Sequence, residues 1–560
     1  MKFLRVFSVL WILAFPAMAL DREAFTFTNY DLTVRVEPEQ QRLGVRGSIT
    51  LRNDSSSPQK DVALQISSTL DWSSIKLKGK PLEFVGHEYT SDIDHTGSLS
   101  EAIVTLPEDL PPKGVVVLEV GYEGVIPLDV TRLTEIGMPE DKAKHEDWDQ
   151  ISKAFTAVRG IGYVAWYPVA VEEASLSEGD SVPEAVARWK AKNADSAMSL
   201  RFESTSTASF FFSGAATAPG AHGKPNAFSL SRTGIDVPTF VIADYQKLAQ
   251  DAATVYYLPG QQETAKTYGE VAGQIDLGPI GHSSQSLQIF GLPDADASSF
   301  VTDGMLLTAL KPSMTNEAEL SLVYAEARQR MVSPRAWIQE GVAHYAQAAF
   351  IEAQKGRQMA LDYLSSHRAA LVEAEKAKPP NGEAASKWET DHALINAPDD
   401  LYLQTKATAV WWMLKDMLES LPAVALAEYR AEDDKDAAYL EHLIEKNHPR
   451  DLGWFFDDWV YHDRGLPDFR IGSVFSSQTA SGGFLVTITV ENLGGAGAEV
   501  PVTLRFQGGE IGRRLEVRAK SKASVRLEVG GEPLEAEVND SSVPESDISN
   551  NTYKIETTSH

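Results

Sequence analysis

Within residues 319–350, Glu326, Gln329, Glu340 and His344 are the side chains whose types and spacing could do chemistry. Residues four apart on a helix share a face. Glu340 and His344 could therefore reach one metal ion, with Asp391 and His392 from later in the chain as further donors. The chemistry would be metal-assisted hydrolysis, in which the ion acidifies a bound water from about 15.7 toward about 7. Glu326 could act as general base if burial raised its pKa. The plainer assignments are an ion pair of Glu326 with Arg330 at i+4, a packed His344, and Glu340 held by Arg328 or Lys406. His145-Glu146-Asp147-Trp148-Asp149, in an acidic stretch over 129–149, also mimics ligand spacing, but one histidine among acids reads as a solvated face.

Two helices must position these residues. Leu320, Val323, Tyr324, Ala327 and Met331 recur every three or four residues, a single buried stripe. Ser333 then reads as the cap of a second helix with Pro334 at its first position, where a missing N–H costs nothing. Trp337, Gly341, Tyr345 and Ala348 form that helix's apolar face. Glycine inside a helix costs about 1 kcal/mol relative to alanine, so the sequence predicts a close neighbour at Gly341.

The pair resembles the zinc core of the gluzincin aminopeptidases, the aminopeptidase N type. That family carries H-E-x-x-H on one helix and N-E-G on the next; the matching residues are Ala325-Glu326-Ala327-Arg328-Gln329 and Gln339-Glu340-Gly341. In this register Ala325 and Gln329 replace two histidine ligands, and Glu340 alone does not make a zinc site. The spacer between Gln329 and Glu340, ten residues (330–339), is shorter than the family's. The resemblance puts the exopeptidase motif G-x-M-E-N at Asp303-Gly304-Met305-Leu306-Leu307, with Leu306 in place of the amine-binding glutamate. Aligning the family lysine with Lys406 puts Gln404 in the place of the transition-state tyrosine, with Tyr402 two residues upstream. Trp166-Tyr167-Pro168 and Phe455-Phe456-Asp457-Asp458-Trp459 are similar to further family segments. The resemblance implies a pseudopeptidase without a cofactor that keeps its cleft for a peptide or protein segment. The alternative it leaves is an active zinc metallopeptidase with a shifted site at Glu340 and His344.

The implied fold is multidomain α+β. An export signal over 1–19 precedes an antiparallel β saddle over 20–245, a thermolysin-like α/β domain with a helical C-terminal part over 246–470, and an Ig-like β-sandwich over 471–560. Period-two alternation predicts strands over 31–36, 45–51, 484–490, 500–506, 513–517 and 523–529, and a buried or half-buried strand over 115–122 follows the Pro111-Pro112 turn. Periodicity also predicts helices over 262–276, 359–376 and 402–418, with a polar loop over 378–387. A net charge of −28 argues against nucleic acid or an anionic membrane surface as partner. Lys2 and Arg5, an apolar run over 7–15 and Ala17-Met18-Ala19 read as a cleavable signal, hence a periplasmic or extracellular address. No other segment reaches the roughly 20 apolar residues of a membrane span. With no cysteine, the chain makes no disulfide and offers no thiolate to a metal.

Overall fold

The computed structural model describes residues 20–179, 181–213, 226–278, 280, 286–396 and 399–555; the signal expected over 1–19 lies outside them. Among the described residues no helix is long and apolar enough to cross a membrane.

The N-terminal part is built on a seven-stranded sheet, with Phe25–Glu37 paired to Arg42–Asn53 and that strand to Val115–Val125. Alternate residues such as Leu32, Val34 and Val36 are buried while Asp31 and Arg35 face water, the pattern expected of a sheet with one covered face. A purely antiparallel sheet was the expectation. The structure differs: Ala197–Ser204 lies parallel to Phe25–Glu37. A parallel partner needs a long crossover, and the chain supplies one through residues 131–196, ending in the helix Ser181–Asn193.

The central part opens with a five-stranded sheet in the order Gln246–Ala249, Ala253–Tyr257, Leu287–Gly291, Met305–Thr308, Phe300–Thr302. Helices follow, starting with Asn316–Arg330 and Ala336–Lys355. The helix expected over 359–376 is broken into Arg357–Ser365 and Arg368–Glu375, and the expected polar loop contains the helix Glu383–Asp391. The helix expected over 402–418 is interrupted by a π turn, Leu403–Ala407, between Asp400–Tyr402 and Thr408–Met417.

The C-terminal part is a two-sheet sandwich. Its expected strands lie within Phe484–Asn492, Ala498–Phe506, Gly509–Val517 and Lys522–Val529. One apolar core runs unbroken from the helices into it, from Trp411 and Phe456 to Val486 and Val500. The polar residues after Asp540 fold back: buried Glu545 accepts from the backbone N–H of Phe469, at 3.1 Å, where the sandwich begins.

Candidate functional site

The first central helix, Asn316–Arg330, is capped by Thr315, whose side chain accepts from the Ala318 N–H at 3.2 Å. The second, Ala336–Lys355, starts two residues later than the Ser333–Pro334 signal suggests. The Ser333 N–H is taken by the Gln339 side-chain oxygen at 3.0 Å, which holds the loop off the helix axis. Gly341 permits close packing: a Cβ there would lie 2.9 Å from the Ala407 Cβ and the Trp411 ring.

Tyr324 and Arg328, four apart on the first helix, converge on one carboxylate of the second. Arg328 Nε donates to Glu340 Oε1 at 2.8 Å, and the Tyr324 hydroxyl donates to Oε2. The same guanidinium donates through Nη1 to Asp236 Oδ1 at 2.7 Å, from the segment between strands Asn226–Leu230 and Phe240–Ala243. The side chains of Arg328, Glu340 and Asp236 are only 7%, 13% and 16% exposed. For Glu340, burial pushes the carboxyl pKa up, but Arg328's charge, the Tyr324 hydrogen bond and His344 outweigh it and hold it low. Burial depresses His344, against the pull of Glu340, so it is neutral near pH 7.

Two hollows of about 480 and 300 Å³ meet at this cluster, and Ile235, Asp236, Val301 and Arg328 line both. Glu340, His344, Gln404, Lys190 and Asp400 line the larger one, together with Phe300 and Leu403. Asp303, Gly304, Met305, Ala325 and Gln329 line the smaller. Glu326, Leu306 and Tyr402 line neither. Glu326 turns to Arg330, which donates to Oε1 in the i,i+4 pair that spacing predicts; burial raises its pKa against that pull. Leu306 is buried in the sheet. Tyr402 is buried beside Lys406, which is itself held between Glu375 and Asp463. A further hollow, of about 800 Å³, lies on the seven-stranded sheet and is lined by polar residues such as Arg46 and Ser73, away from these helices.

Tyr324 and Arg328 hold Glu340, while Ala325 and Gln329, the positions matched to the histidines in sequence, line the smaller hollow. Zinc does not fit this donor set. A guanidinium has no lone pair to give, the Tyr324 phenol is pushed well above its ordinary pKa by burial and by Glu340, and both Glu340 oxygens already accept hydrogen bonds. In the alternative set, His344 Nδ1 bonds Gln347 Oε1 at 3.0 Å with its ring against Tyr324, while His392 stacks on Trp388 at 3.6 Å. Among the described residues, no three His, Asp or Glu side chains gather to hold an ion.

Sequence reasoning missed Asp236, whose only signal is its pairing across about 90 residues with Arg328. It also misjudged the end of the 129–149 stretch: Glu135, Glu140, Asp141 and Glu146 are exposed as expected, but Asp147 and Asp149 are internal counter-ions. Asp147 pairs with Arg132 at 2.6 Å and Asp149 with Arg159 at 2.7 Å, all buried. His145 meets Asp294 at 2.6 Å.

No protein-family model and no curated protein matches the chain. Among solved structures it is similar to an M1 zinc metallopeptidase from Deinococcus radiodurans, at 14% identity and a TM-score of 0.45 over 80% of this chain and 96% of that one. A glutamate-to-alanine mutant of that protein bound to a Tyr-Ser-Ala substrate matches at 15% identity and a TM-score of 0.46, over the same shares of the two chains.

Proposed function

We propose that this chain is a metal-independent relative of the gluzincin aminopeptidases, exported from the cell, that binds a peptide or protein segment in its cleft without cutting it. The observation that carries this reading is the Asp236–Arg328–Glu340 bridge: a cationic side chain saturates the one carboxylate that the family resemblance would assign to zinc. Nothing then acidifies a water, and Glu326, turned toward Arg330 and outside both hollows, has no nucleophile to serve.

Binding capacity survives that loss. The strand Phe300–Thr302 is the outer strand of its sheet and runs along both hollows, so an extended segment can lie beside it and bond through its backbone. Apolar contact comes from Val182, Val186, Phe300 and Leu403. Lys190 and Asp400 make no ion pair among the described residues and supply the charge that selects among ligands. The sandwich, continuous with the helical core, braces this wall.

Elemental analysis and a peptide panel test the reading together. The purified chain should carry no stoichiometric zinc and turn over no peptide with zinc added, yet bind members of the panel in a polarisation assay. Chelator-sensitive cleavage, with zinc lost in Glu340→Gln, would overturn it. Recovery of the chain from the periplasm or medium, lacking residues 1–19, tests the export.

A further inference from the structure

We infer that Arg328 stands in this chain where a bound cation would stand, and that 324, 328 and 340 are the positions whose side chains converge on that point. The inference rests on the functional reading above and adds the register and the occupant. Three observations carry it. Tyr324 and Arg328 reach opposite oxygens of the same carboxylate, so their Cα–Cβ directions aim at one locus beside Glu340. The guanidinium there joins two carboxylates from different elements, Asp236 beside the N-terminal sheet and Glu340 on the second helix. One positive group between two negative ones is the arrangement a divalent ion would otherwise complete. Finally, Ala325 lines the hollow next to Arg328 while Glu326 faces away. The residue after 324, not the residue after 325, therefore looks into the cleft.

Imidazoles at 324 and 328 would then supply two nitrogens beside the Glu340 oxygens, a three-ligand set suited to zinc or cobalt. Imidazoles at 325 and 329 would point to the smaller hollow and leave Arg328 bound to Glu340.

The test compares Tyr324→His/Arg328→His with Ala325→His/Gln329→His in the full chain. Zinc content is measured by mass spectrometry, and cobalt loading by its visible absorption. The first pair should gain one zinc per chain and the absorption of tetrahedral cobalt, both lost on adding Glu340→Gln; the second should stay at the wild-type level. Losing Arg328 strands two carboxylates, so the first pair is also made with Asp236→Asn and melted with and without zinc. A zinc-dependent rise in melting temperature supports the inference. No metal gain in a folded first pair, equal gain in the second, or failure of both Arg328 variants to fold at any zinc level overturns it. Zinc in the wild-type protein overturns the functional reading. A metal-free wild type with no gain in the first pair overturns this inference alone.

Discussion

Arg328→Met deletes the charge at the centre of the cleft while keeping an unbranched stem of similar length. The variant leaves the Asp236 and Glu340 carboxylates, whose side chains are 16% and 13% exposed, without their cation. Removing one partner of a buried ion pair costs about 3–5 kcal/mol, and the residual water contact here argues for the lower end, about 3 kcal/mol. At about 2–4 °C per kcal/mol for a unit of 150–250 residues, the helical part should melt about 6–12 °C earlier at pH 7.5. The pH dependence has a definite sign. In the wild type Glu340 is held below its unfolded value of 4.5, so its contribution is present above about 4.5 and lost as pH falls through the lowered folded value. In the variant the largest lowering influence is gone while burial persists against the Tyr324 hydrogen bond and His344, so the carboxyl rises and less of that contribution survives above 4.5. The gap between wild type and variant is therefore widest near neutrality and closes on acidification. Calorimetric melts at pH 7.5 and 5 measure it. A variant melting within about 1 °C of wild type at pH 7.5, or a gap that widens in acid, would refute the assignment of Arg328 as the buried counter-charge.

Gly341→Ala gains about 1 kcal/mol of helix propensity, but its Cβ would sit 2.9 Å from Ala407 and the immobile Trp411. Overpacking of this kind costs about 1–3 kcal/mol, so a net loss of about 1 kcal/mol is expected in urea titrations. Lys406→Met strands Glu375 and Asp463 in the core and should destabilise by about 3–5 kcal/mol, read by the same titration. Burial pushes the Glu545 carboxyl up to about 7, against the hydrogen bonds from Asn551, Asn539 and the Phe469 N–H. Its folded value lies above the unfolded 4.5, so stability is full below about 4.5 and roughly 3 kcal/mol is lost as pH rises through about 7. Glu545→Gln should flatten the fall in the sandwich's melting temperature between pH 5 and 8. Glu326→Gln should leave peptide affinity within about twofold of wild type, measured by polarisation, because Glu326 lines neither hollow.

Regular alternation made Val45, Ile49 and Leu51 legible as one face of a strand, and the 3.6 period did the same for Val410, Trp411 and Leu414. Gly341 announced its neighbour because a helical glycine has a cost that something must repay. What periodicity could not fix was a one-residue phase. Ala325/Gln329 and Tyr324/Arg328 both have i,i+4 spacing, and both pairs sit beside apolar residues. The choice is made by Asp236, which pulls Arg328 inward from a loop in another part of the fold. The buried acids Asp147 and Asp149 escaped notice for the same reason, since their burial depends on Arg132 and Arg159 and on where those side chains point. The π turn at Leu403–Ala407 adds a residue to one helical turn, a shift that no hydrophobic pattern records.

A charge that is part of the polypeptide cannot be chelated, competed away or filled by the wrong ion. The Asp236–Arg328–Glu340 bridge therefore makes the shape of this cleft independent of the metal content of its surroundings. On the proposed function, a segment in the cleft would be gripped equally well when zinc is scarce and when it is abundant.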